Sequence, residues 1–173
     1  MEFLVYIIVA LIPASAVVIV VYLFLKKQGE NEISKLSMQI KKERQSFFLE
    51  PRLDAYQRMI LLLERTHPYS LVMRIHNPTH SAKHFQKELL ESIRKEFDHN
   101  VAQQIFISPE SWEMIKKSKE ETINIINIAA KSMEEDADAT ALSSKIFEIV
   151  AEVGELPCDI TIKFLKKEFQ KLF

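Results

Sequence analysis

The chain has 173 residues and a formal net charge of −1, with 23 Lys and Arg against 24 Asp and Glu, so it offers no basic surface built for nucleic acid. Its two glycines, Gly29 and Gly154, exclude phosphate-cradling and nucleophile-elbow loops, each of which needs at least two closely spaced glycines. The single cysteine, Cys158, excludes an internal disulfide or a C-x-x-C site and suits a reducing compartment.

Residues 3–25, FLVYIIVALIPASAVVIVVYLFL, carry no charge, and sixteen of the 23 are Leu, Ile, Val or Phe. As a helix this run extends roughly 34 Å, which matches a ~30 Å hydrocarbon core and predicts a transmembrane anchor over residues 1–27. Ala14-Ser15-Ala16 has the form of a signal-peptide cleavage site, but no basic residue precedes the run and it stays apolar afterwards. Lys26, Lys27, Lys35, Lys41, Lys42 and Arg44 follow it, which predicts an outside N-terminus and a cytoplasmic remainder at a bacterial inner membrane. Pro13 with Ala10 and Ala14 forms a small-residue patch suited to contact with another helix.

Residues 28–49 are expected to form a juxtamembrane helix or stalk. Ile33, Leu36, Ile40 and Phe47 lie at heptad-like spacing and Glu43 occupies the intervening apolar slot. A cytoplasmic helical domain follows over 50–173. Glu50-Pro51 restarts the pattern with Leu53, Tyr56, Ile60 and Leu63, and that helix is expected to end before His67-Pro68. Residues 69–75 fit a strand, a turn of helix or a buried loop, and Asn77-Pro78 marks a turn.

The next helix is expected to start near Thr79 or Ser81. Leu89, Ile93, Phe97, Val101 and Ile105 recur every four residues, so one helix is expected to run through Gln104. Ser108-Pro109-Glu110 reads as a helix start, and Trp112, Ile115, Lys119, Ile123, Ile126, Ala130 and Met133 trace the face that follows. The acidic run 134–138 suits the beginning of another helix, with Leu142, Ile146, Ile149, Val150 and Val153 inward and Gly154 at its end. A final amphipathic helix after Pro157 carries Leu165, Phe169 and Leu172. The expected architecture is all-α: one transmembrane helix, a juxtamembrane helix and a bundle of about five helices.

The run from Glu96 to Ser108, with Trp112 and Ala129-Ala130 after it and Arg52 to Met59 and Leu62 to Arg65 before it, resembles a family of small single-span bacterial proteins whose function is uncharacterised. The resemblance covers roughly residues 50–130. It implies an inner-membrane protein with a helical cytoplasmic domain and carries over no catalytic residue and no cofactor.

The candidate chemistry is sparse. His76, His80 and His84 are four apart, but Pro78 interrupts the first interval, leaving His80 and His84 as an i, i+4 pair that His99, beside Asp98, would have to complete as a zinc site. His99, Asn100, Gln103 and Gln104 form a polar run that suits either local hydrogen bonds or a partner contact, and Trp112 suits either the core or an interface. Arg52, Arg58, Arg65 and Arg74 are placed to pair with carboxylates such as Asp54 or Glu64. The expected function is a non-catalytic, membrane-anchored accessory or scaffolding subunit that contacts the bilayer and docks a protein of a larger inner-membrane complex. A metal-binding regulator or enzyme using His80, His84 and His99 is the alternative, and a homo-oligomeric membrane organiser acting through residues 10–16 and 33–47 is a further one.

Overall fold

The structure is a computed structural model that describes the backbone of residues 2–171, with the side chains of residues 2, 4–14, 16 and 45 outside the description. Six α-helices account for most of it: α1 (Glu2–Thr66), α2 (Pro68–Ile75), α3 (Ala82–Asn100), α4 (Pro109–Lys131), α5 (Ala139–Val153) and α6 (Pro157–Gln170), with a 3-10 turn over Val101–Ile105. The chain divides into two compact units, residues 1–49 and residues 50–173.

The first unit corrects the expected membrane architecture. Among the described residues no helix is long and apolar enough to cross a membrane. The transmembrane anchor, its single-pass topology and the inner-membrane placement derived from it are therefore withdrawn. The contact patch expected at Ala10, Pro13 and Ala14 lies outside the described residues.

Residues 28–49, expected as a helix or stalk, are helical and lie within α1, which runs from Glu2 to Thr66. Pro51 lies inside it, where its ring deprives the Phe47 carbonyl of an N–H donor. Ile33, Leu36, Ile40 and Phe47 are all exposed, at 71, 59, 43 and 75%.

The second unit is a helical bundle built on α4. α3, α5 and α6 all pack against α4, while α2 packs on α3 and α5. The last four turns of α1 contribute Ala55, Tyr56, Met59, Leu62 and Leu63 to the same core, which also holds Phe85, Leu89, Ile93, Ile115, Ile126, Leu142, Ile146 and Leu165. Burying each of the larger side chains is worth about 1.5–3 kcal/mol.

The helix starts follow from local chemistry. Ser81 accepts a hydrogen bond from the His84 N–H, Ser108 from Ser111 and Asp138 from Ala141, each capping its helix. The caps of α3 and α5 are joined directly: the Ala82 N–H donates to the Ala137 carbonyl and the Ala139 N–H to the His80 carbonyl, both at 2.9 Å. Residues 69–75 resolve into the short helix α2, with His67 as its cap and Pro68 in its first turn.

Two further expectations change. α3 stops at Asn100 instead of continuing to Gln104, since Val101 and Ile105 leave the core (40 and 76% exposed) and the chain tightens into the 3-10 turn ahead of α4. The fully buried line of α4 is Ser111, Ile115, Ser118, Thr122, Ile125, Ile126 and Ala129, whereas Trp112, Lys119, Ile123 and Ala130 are half-buried at its margin. Ser111 and Ser118 on that line face α6, where they meet Glu168 and Thr161. Thr161 donates to the Pro157 carbonyl at 2.7 Å and lies 2.8 Å from the Ser118 hydroxyl.

Candidate functional site

A concavity in the second unit lies between the C-terminal turns of α1 and α3. It has a volume of about 470 Å³ and is lined by Arg58, Leu61, Leu62, Arg65, Lys95, Glu96, His99 and Asn100. Helical spacing places 58, 61, 62 and 65 on one face of α1, and 95, 96, 99 and 100 on one face of α3. Arg58 donates to Asp54 at 2.7 Å within α1, one of the pairings expected from spacing. Arg65 reaches across to Glu96 at 2.6 Å, and that carboxylate raises the guanidinium pKa further above its ordinary value. Arg74 closes the end of α1 by donating to the Arg65 carbonyl at 3.1 Å. With Arg58, Arg65 and Lys95 against Glu96, the lining is cationic, and Leu61 stands 58% exposed within it.

The polar run after Asp98 divides between this groove and local structure. His99 is exposed and lines the groove. Asn100 is buried and its amide donates to the Glu96 carbonyl at 2.8 Å, while the Gln104 amide donates to the Val101 carbonyl at 3.0 Å. Gln103 uses its backbone carbonyl to accept from Phe106. Trp112 stacks on Phe97 with ring centroids 5.1 Å apart, and the Lys119 ammonium sits 4.4 Å from the Phe97 ring. These contacts tie the start of α4 to α3.

The histidines gather differently from the expected set. His80 and His84 come together with rings 4.5 Å apart, and the third group beside them is Glu88. His99 belongs to no such cluster among the described residues. Glu88 follows His84 by four residues on α3, so a signal for it was present in the spacing. His76, at the end of α2, pairs with the Ser143 hydroxyl at 3.2 Å and packs edge-on to Phe85.

A second trio, His67, Cys158 and Asp159, is accounted for by local structure. His67 Nδ1 accepts the Tyr69 N–H at 3.3 Å as the cap of α2, which leaves the ring proton on Nε2 toward Asp159. Burial, then the nearby Asp159 carboxylate, push the Cys158 thiol up to about 12, so it stays protonated and unreactive at neutral pH. Glu168 joins three helices by accepting from the Ser111 hydroxyl and from Tyr56. Burial first, and Glu168 second, push the Tyr56 hydroxyl up to about 12.

No curated protein and no solved structure matches the chain. A family match covers residues 2–172, reaching beyond the 50–130 stretch of the sequence resemblance. The chain belongs to that family, which is described as a family of unknown function, DUF7935.

Proposed function

We propose that the chain is a non-catalytic accessory or scaffolding subunit whose helical unit docks a partner protein in the groove between α1 and α3. The occupant that fits is an acidic amphipathic helix, with carboxylates for Arg58, Arg65 and Lys95 and one apolar anchor for Leu61. The observation that carries this reading is the pairing of a cationic lining with an exposed leucine in a concavity of about 470 Å³. A photo-crosslinking residue placed at Leu61 in native cells tests it, with Val153, exposed on α5 and outside the groove, as the control. A discrete adduct from Leu61 that weakens in R65E and K95E is expected. Equal labelling from both positions would sink the proposal.

A second reading, self-association through α1, rests on the exposure of Ile33, Leu36, Ile40 and Phe47 along one heptad stripe. Sedimentation of the full chain tests it: a monomer whose mass is unchanged by L36D removes this reading.

A further inference from the structure

We propose that His80, His84 and Glu88 form a binding site for one divalent transition metal of the zinc class, with its fourth position open to solvent. This inference is independent of the docking groove. One donor atom from each residue lies within 4.8 Å of the other two. Glu88 approaches both rings, at 3.0 Å from His80 Nδ1 and 3.5 Å from His84 Nε2. In a tetrahedral shell with bonds of about 2.0–2.1 Å, neighbouring donors stand about 3.3 Å apart, so closing the site takes side-chain shifts of about 1 Å. Two imidazoles and a carboxylate with an open position are the ligand set that zinc uses where it keeps a water.

The backbone around these groups is well anchored. His84 and Glu88 occupy successive turns of α3. His80 sits just before the helix cap, its N–H donating to the Asn77 carbonyl at 3.1 Å and its carbonyl accepting from Ala139 at 2.9 Å. The loop therefore holds His80 over the first turns of α3, with its ring nearly perpendicular to that of His84.

The surrounding hydrogen bonds define what the metal displaces. Asn77 Oδ1 accepts from the Thr79 N–H at 3.1 Å and from the Thr79 hydroxyl at 2.8 Å, which orients the amide so that its NH2 faces His80 Nε2 at 3.2 Å. Nε2 is thus the acceptor, and Nδ1 carries the proton that it donates to Glu88. When a metal takes Nδ1, that proton moves to Nε2 through solvent, and the Asn77 amide must turn to accept it, giving up Thr79. A carboxylate at position 77 would instead accept from Thr79 with one oxygen and from Nε2–H with the other, supplying the outer-shell support that metal-bound histidines use. Asn77→Asp therefore strengthens binding.

Calorimetric titration of the full chain with zinc chloride, and the visible spectrum of the cobalt(II) form, test the proposal. One equivalent of zinc and the intense bands of four-coordinate cobalt are expected. H84A and E88Q each weaken zinc binding about tenfold or more, and N77D strengthens it roughly tenfold. His84 is 55% exposed at its side chain and Glu88 33%, so both variants keep the fold, which circular dichroism verifies. The absence of stoichiometric binding, or binding lost in H67A but retained in H84A and E88Q, overturns the assignment.

Discussion

Thr161→Val and Ser118→Ala should destabilise the bundle unequally, although they remove the two halves of one hydrogen bond. The Thr161 hydroxyl has a single proton, committed to the Pro157 carbonyl at 2.7 Å in its own helix, so Ser118 must be the donor across the α4–α6 seam at 2.8 Å. Both residues are 2% exposed. Thr161→Val keeps the volume but strands the buried Ser118 donor, at a cost of about 1–3 kcal/mol. Ser118→Ala leaves the Thr161 proton satisfied and costs less than about 1 kcal/mol. In the S118A background Thr161→Val should add little, since no donor is left stranded, giving a coupling of about 1–2 kcal/mol. Urea unfolding followed by fluorescence reports this directly, because Trp112 is the only tryptophan and lies at the start of α4 in the same unit. If T161V costs no more than S118A, or the two effects simply add, the hydroxyl pair does not hold the seam.

The remaining predictions concern stability and pH. Gly154 ends α5 at φ 77°, ψ −107°, with nothing within 4 Å of an added Cβ, so Gly154→Ala should cost about 1–3 kcal/mol through backbone strain alone; an unchanged urea midpoint would refute this. Asp138→Ala removes the cap of α5 and should cost about 0.5–2 kcal/mol in the same measurement. Arg65→Ala should leave the urea midpoint nearly unchanged, because the Arg65 side chain of its ion pair with Glu96 is 43% exposed to solvent. Tyr56 and Cys158 titrate near about 12 when folded but ordinarily at 10.0 and 9.0, so the unfolded chain ionises first. Stability is then full below about pH 9 and falls as pH rises toward 12, and Cys158→Ala should flatten that decline in urea midpoints measured across the range.

What could be read from the chain alone was whatever is decided within a few residues. Ser81, Ser108, Asp138 and Gly154 were legible as helix boundaries because a capping oxygen or a positive φ satisfies backbone groups of the adjacent turn. The all-helical class and the buried Leu89, Leu142, Ile146 and Leu165 follow from periodicity. Membership of the family was legible too, from the run between Glu96 and Ser108 and its flanking motifs. The apolar run at 3–25 was legible as composition, whereas among the described residues no helix is long and apolar enough to cross a membrane.

Tertiary structure decided the rest, because the determining groups are far apart in sequence. Val101 and Ile105 continue a four-residue repeat yet leave the core, since the chain must turn there to start α4. Ser111, Ser118 and Thr122 look like surface residues, but small hydroxyls that bond across or along helices let α4 and α6 approach closely. Arg65 meets Glu96 across 31 residues, and no local rule foretells that pairing. His80 and His84 were visible as a pair. Glu88 stood at the matching interval, but His80 lies outside the helix that carries the other two. Only the loop pinned between the caps of α3 and α5 brings its ring over them, because backbone hydrogen bonds to residues nearly sixty positions away set where that loop sits.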